Sequence, residues 1–221
     1  MSLGYVVAAV GITLGAYIAG SIPTGVLICR VWFGVDVLEY GSRRSGATNV
    51  MRAVGIAPAA MVVAGDFLKG FLPVILARVL FTDFPVVPLL AVFAAAAGHN
   101  WSVFLRLRGG RGVTTSLGGV AAMVPIVPAI AIPTGIAMLV ASRYVSVSSL
   151  AGAVAATIGA VVLYAIGGLL TGYDLIAVGG LTVFLFTQHI DNMRRFFKGT
   201  ERRLPAWDAF ISGRSGRNGA D

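Results

Sequence analysis

The turn Gly109-Gly110-Arg111-Gly112 follows Arg106 and Arg108 and precedes Val113-Thr114-Thr115-Ser116. Glycine lets a backbone approach an anion closely. A helix beginning at Val113 would add free N–H groups and the positive end of its dipole. With an arginine inside the turn, the chemistry on offer is capture of a phosphate. The pattern is not a Walker A loop, because G-x-x-x-x-G-K-[ST] is absent from the chain. A plain helix-to-helix turn with interfacial anchors is the alternative that the local sequence leaves open.

Other polar groups gather in a few short stretches. Gly41-Ser42-Arg43-Arg44-Ser45-Gly46-Ala47-Thr48-Asn49 sets hydroxyls and amides beside arginines. That mixture suits a polyol phosphate and equally an ordinary polar loop. His189-x-x-Asn192 is followed by Gly199-Thr200-Glu201, and Ser142–Ser149 is rich in serine. His99 and His189 are the two histidines, each readable as a hydrogen-bonded packing residue or as a base. Asp66 and Lys69, spaced i,i+3, read as a neutralising pair inside an apolar run, with direct substrate contact as the alternative. No metal site is expected: there is no H-E-x-x-H, no carboxylate cluster and no pair of histidines at helical spacing. A G-x-S-x-G nucleophile elbow is missing too. Cys29, the only cysteine, excludes an intramolecular disulfide and reads as a buried thiol.

The elements that must position these residues are apolar. Hydrophobic residues make up 57% of the 221 and charged residues 12%, with a mean hydropathy of +0.87. A soluble domain carries about twice that charge, so the composition implies a polytopic membrane protein. The first apolar run lacks a basic region before it and is expected to be a retained span. The formal charge of +8 lies in short clusters between apolar runs. Positive-inside topology and phosphate binding account for it better than nucleic acid does.

Apolar runs fall at Leu3–Phe33, Val54–Phe81, Val86–Leu105, Val113–Ala141, Val147–Leu170 and Leu175–Thr187. Arg43, Arg44, Arg52, Arg106, Arg108, Arg111, Arg143 and the basic tail after His189 mark the cytoplasmic side; the gaps around Asp83 and Asp174 lack lysine and arginine and mark the outside. Both flanks of Val113–Ala141 are therefore cytoplasmic. As one helix it would be roughly 43 Å long, and Pro125, Pro128 and Pro133 disfavour that. A hairpin of two short helices is expected. The result is an all-α polytopic integral membrane protein of seven transmembrane helices, N-terminus outside and C-terminus cytoplasmic. Residues 1–203 form one transmembrane domain, and 204–221 a polar, flexible cytoplasmic tail.

Four separated segments resemble one family, the bacterial membrane acyl-phosphate:glycerol-3-phosphate acyltransferases (PlsY family). They are GSIPTG (Gly20–Gly25) with GSRRSGATNVMR (Gly41–Arg52), GDFLKG (Gly65–Gly70), GHNWSVFLRLRGGRGVTT (Gly98–Thr115) with RYVSVSS (Arg143–Ser149), and HIDNMRRFFKGTE (His189–Glu201). The resemblance implies transfer of a fatty acyl group from acyl phosphate to the 1-hydroxyl of glycerol 3-phosphate, giving lysophosphatidic acid and phosphate. It implies the cytoplasmic face of the bacterial inner membrane, no cofactor, and a monomer among membrane lipid. By position it puts catalytic roles on Ser42, Arg52, His189 and Asn192. Substrate and phosphate binding fall to Thr48, Asn49, Gly109, Gly110, Arg111, Gly112, Ser146 and Glu201. The chain departs from the pattern at five positions. Arg43 and Arg44 stand for the usual Gly and Asn, Ser102 replaces the proline of GHxxP, and Arg108 and Arg111 replace the lysines of FKGGKG. A transporter for phosphorylated anions and a divergent, inactive relative are the competing readings. Either His189 or a substrate phosphate is the expected base.

Overall fold

Lipid offers a backbone no hydrogen-bond partner, so long uncharged runs of Ala, Val, Leu and Gly must satisfy themselves as helices. The computed structural model describes residues 2–204, and no strand occurs among them. Ten α-helices follow in order among them: α1 (Leu3–Ser21), α2 (Thr24–Phe33), α3 (Ala47–Ala53), α4 (Ile56–Leu80), α5 (Val86–Asn100), α6 (Val113–Met123), α7 (Pro128–Ser142), α8 (Val145–Ala165), α9 (Gly172–Gln188) and α10 (Ile190–Phe197). Of the tail expected at 204–221, Pro205–Asp221 lies outside the described residues.

Four segments are each long and apolar enough to cross a membrane: α1, α4, the run Val86–Leu105 and α8. A fifth is α9 with α10, joined through a bend of 57°. The stretch Val113–Ala141 is indeed two helices, α6 and α7, parted at Val124–Val127 beside Pro125 and Pro128. At about 1.5 Å per residue they are roughly 16 and 22 Å long.

The first apolar run differs from the expectation of one continuous stretch. It breaks at Ile22-Pro23, leaving a 19-residue α1 and a 10-residue α2. Proline removes an N–H and frees carbonyls of the preceding turn, and polar groups from α4 and from the segment after α5 take them up. Lys69 Nζ donates to Ile22 O at 2.8 Å, and Ser102 Oγ to Ser21 O at 2.5 Å. Thr24 Oγ1 donates to Asp66, which also pairs with Lys69 at 2.8 Å. The Asp66–Lys69 pair therefore does more than neutralise itself: it clamps the α1–α2 break. Ser102, the departure from proline, supplies a hydroxyl that proline lacks.

Large apolar side chains such as Leu14, Val31, Leu72, Ile136 and Val183 face outward, as a lipid-facing surface requires, while the interior is built of Ala and Val. Helices pack where glycine lets backbones touch. A Cβ on Gly20 would sit 2.1 Å from Ala95 O, and one on Gly70 would sit 2.0 Å from Thr115 O. These contacts lock α1 to α5 and α4 to α6. At the far end of α6, Arg78 Nη1 of α4 donates to Ala122 O at 2.5 Å and Met123 O at 2.9 Å. Cys29 is buried.

Candidate active site

The start of α6 is held by the end of α5. Gly109 N–H donates to Asn100 O at 3.0 Å and Gly110 N–H to His99 O at 3.1 Å. A Cβ on Gly109 would lie 1.9 Å from His99 O, and one on Gly110 would lie 2.0 Å from His99 Nε2. The glycines were expected to admit an anion. Gly109 and Gly110 admit His99 and Asn100 instead, and their N–H groups are already bonded. What remains for an anion is the first turn of α6, whose earliest helical bond is Ser116 N–H to Gly112 O at 2.7 Å. The amides of Val113, Thr114 and Thr115 thus have no intrahelical acceptor. Arg111 stands beside them, largely buried, with its Nε lacking any partner. Burial, then the charge of Arg44, pushes its pKa down to about 10; it stays protonated at neutral pH.

The loop before α3 is organised by one side chain. Asn49 donates through Nδ2 to Val37 O (2.9 Å), Tyr40 O (3.0 Å) and Arg44 O (3.0 Å), and its Oδ1 accepts from Ser42 N–H at 3.0 Å. This folds the loop back on itself and presents Ser42 and Thr48 toward α6. Arg43 takes the position where the family pattern has glycine, and its φ of 54° lies in the left-handed region that glycine favours. Arg44 reaches across the gap, donating from Nη1 to Gly110 O at 3.2 Å.

His189 sits at the bend between α9 and α10, buried, with Nδ1 2.8 Å from Leu185 O. A carbonyl partner makes Nδ1 the protonated nitrogen and leaves the lone pair on Nε2. Burial lowers its pKa to about 4, the Leu185 bond opposing and the charges of Arg111 and Arg44 assisting. The imidazole is neutral at pH 7.

Beyond α10 the chain returns to the start of α8. Glu201 accepts from Asn192 Nδ2 at 2.5 Å, Ser146 Oγ at 3.0 Å and Arg195 Nε at 2.8 Å. Burial alone would raise its pKa, but these bonds hold the carboxyl below its ordinary value. Leu204 N–H to Arg143 O at 2.8 Å pins the segment after it. Arg52, exposed on α3, lies in the field of Arg202 and Glu201.

Two cavities meet at the start of α6. One, of about 180 Å³, is lined by Ser42, Arg44, Thr48, Asn49, Asp66, His99, Gly110, Arg111, Gly112, Thr114 and His189, with Val113 and Ser149 among its remaining walls. The other, of about 230 Å³, is apolar and runs between α6, α7, α8 and α9, past Leu117, Val120, Ile132, Gly152, Val178 and Leu181. Val113 and Ser149 border both. Ser42, Thr48, Asn49, Gly110, Arg111, Gly112 and His189 are thus brought to one cavity. Gly109 lies behind it, Ser146, Asn192 and Glu201 make a network at its flank, and Arg52 is not on its wall. Arg106 and Arg108 are exposed away from it. Asp66, His99, Arg44, Thr114 and Arg195 were not chosen from the sequence as site residues. The in-span ionisable side chains of Asp66 and His99 are a usable signal; nothing in the sequence marks Arg44 as meeting Gly110.

A family model described as Glycerol-3-phosphate acyltransferase matches residues 10–199. The glycerol-3-phosphate acyltransferase of Thermus thermophilus is 42% identical over 200 residues, covering 89% of this chain and 96% of the relative. That of Rubrobacter xylanophilus is 39% identical over 215 residues, covering 94% and 98%. Among solved structures, the chain resembles PlsY (YgiH), an integral membrane glycerol 3-phosphate acyltransferase. Its glycerol 3-phosphate form aligns with a TM-score of 0.83 at 31% identity, covering 91% of this chain and 98% of that one. Its lysophosphatidic acid form aligns at 0.82 and 30%, covering 92% and 99%.

Proposed function

The chain belongs to the glycerol-3-phosphate acyltransferase family, and from that premise we propose that it moves a fatty acyl group from acyl phosphate to the 1-hydroxyl of glycerol 3-phosphate. The products are lysophosphatidic acid and inorganic phosphate. The observation that carries this reading is the meeting of a cationic cavity and an apolar cavity at the start of α6. An acyl phosphate has that same shape, an anionic head on an aliphatic tail. With the tail between α6, α7, α8 and α9, the carbonyl lies near Val113 and Ser149 and the phosphate near Arg111.

The hydroxyl oxygen of glycerol 3-phosphate attacks the acyl carbonyl carbon, and the bond from that carbon to the phosphate oxygen breaks. Phosphate leaves with the electron pair. Because the donor is already activated, the protein's task is to align two anions and stabilise the charge that develops. Arg111 and the first amides of α6 hold a phosphate, and Arg52 meets a second anion at the open side. Ser42 and Thr48 orient the polyol on the loop that Asn49 folds. Ser146, Asn192 and Glu201 hold the α10 segment, and with it His189, against the cavity. The hydroxyl proton goes either to Nε2 of His189 or to an oxygen of the leaving phosphate.

In the membrane we assign seven spans: α1, α4, α5, α6, α7, α8 and α9. The N-terminus is outside and the cavity on the cytoplasmic side of a bacterial inner membrane, where the arginines cluster. The short α6 and α7 make a hairpin. The enzyme acts as a monomer on glycerol 3-phosphate and membrane-borne acyl phosphate, without a cofactor. The test is phosphate release by purified protein in detergent. Rapid release from acyl phosphate that depends on glycerol 3-phosphate is expected; no release with both substrates present would reject the reading.

A further inference from the structure

Two guanidinium groups line the cationic cavity, those of Arg44 and Arg111. Among the described residues no carboxylate pairs with either. Asp66, the carboxylate in the wall, is taken up by Lys69 and Thr24. Arg44 gives one bond to Gly110 O, whereas a guanidinium offers roughly five donors. Both arginines also act on His189, so their charges converge on the same space. Like charges held in one partly dry cavity repel, and the repulsion grows as water is excluded. A dianion between them reverses its sign.

We propose that Arg44 is a second phosphate-holding cation, sharing one phosphate dianion with Arg111 across the cavity. The proposal rests on the cavity being the phosphate site described above. Arg44 does two jobs through one planar group: it closes on the carbonyl of Gly110, which fixes its direction, and turns its remaining N–H groups to the ligand. The family pattern has asparagine at this position, so the second cation is this chain's own. The ligand chemistry is a terminal phosphate, which both glycerol 3-phosphate and acyl phosphate carry.

Full-length protein in detergent separates the possibilities through three measurements on wild type, Arg44→Gln and Arg44→Lys. These are equilibrium binding of inorganic phosphate, KM for glycerol 3-phosphate, and KM for acyl phosphate. A hydrogen bond to a charged group makes a loss of about tenfold or more the expected size. Arg44→Gln weakens inorganic phosphate by that factor and raises one KM similarly, with kcat within about threefold. The substrate whose KM rises identifies which phosphate Arg44 holds. Arg44→Lys, which keeps the charge, recovers most of the phosphate affinity. Unchanged phosphate affinity in Arg44→Gln overturns the proposal. So does a fall in kcat shared by Gln and Lys without any change in phosphate affinity, which would make Arg44 a prop for Gly110. A wild type that binds phosphate in an Arg44-dependent way yet transfers no acyl group would reject the activity and leave Arg44 assigned. Transfer with Arg44-independent phosphate binding would do the reverse.

Discussion

The two ends of α6 each meet an arginine, and the two encounters are electrostatic opposites. At the C-terminal end, Arg78 donates to the carbonyls of Ala122 and Met123. A cation there complements the negative end of the helix dipole and satisfies groups that lipid would leave orphaned. At the N-terminal end, Arg111 stands beside the positive end of the same dipole, near Arg44, with its Nε unpartnered. One end is complete as it stands and the other keeps unpartnered donors. The same residue type is thus structural at one end of a short helix and, under the proposed function, a phosphate-holding cation at the other.

The largest test of this contrast is Arg111→Ala. Removing a donor aimed at developing charge costs on the order of 10²–10³ in rate, and the melting temperature in detergent should hold or rise as a repulsion is relieved. A collapse in thermal stability with Arg111→Ala would break the comparison. Arg78→Ala should do the converse. Leaving two buried carbonyls unpaired costs about 1–3 kcal/mol of stability, read as a lowered melting temperature, while KM for both substrates stays put.

Burial, with the charges of Arg111 and Arg44 assisting, sets the protonation of His189. With its pKa lowered to about 4, a base role for His189 predicts a kcat that is flat from pH 8 to about 5.5 and falls only toward 4. A fall of about tenfold centred near 6 would instead assign the proton to a phosphate oxygen, whose second pKa is about 6. The linked effect on stability has a definite sign. As pH drops below 6.5 the unfolded chain takes up the proton before the folded one, so stability declines between 6.5 and about 4 and is level outside that window. The smallest effect concerns the neighbour of Arg44. Arg43 holds a φ of 54°, so Arg43→Gly should raise stability by roughly 0.5–1 kcal/mol and leave activity intact. A loss of stability would mean that the Arg43 side chain makes a contact worth more than the strain.

Much of the fold is legible in the chain because lipid leaves few choices. The break within Val113–Ala141 follows from its prolines, and the expected seven spans from the alternation of basic and uncharged gaps. The break at Ile22-Pro23 is masked in the sequence, because the apolar run continues beyond Pro23 to Phe33. For the site, the family resemblance put roles on Ser42, Arg111 and His189, while the residue types alone left each of them open. They did not separate a residue that faces the cavity, such as Arg111, from one that faces away, such as Arg108, three positions earlier.

What the sequence determined by itself is the kind of molecule: apolar helices, because an unsatisfied backbone in lipid is too costly, and polar clusters of phosphate-binding type between them. Only the tertiary structure decided what each glycine and arginine does. Gly70 against Thr115 and Gly20 against Ala95 set how the helices slide past one another, and that register puts His99 under Gly110, Arg44 on its carbonyl and Arg78 on the far end of α6. Local composition determines which bonds a residue is able to make. Interlocking between helices distant in sequence determines which of those bonds are already made, and which are left for a ligand.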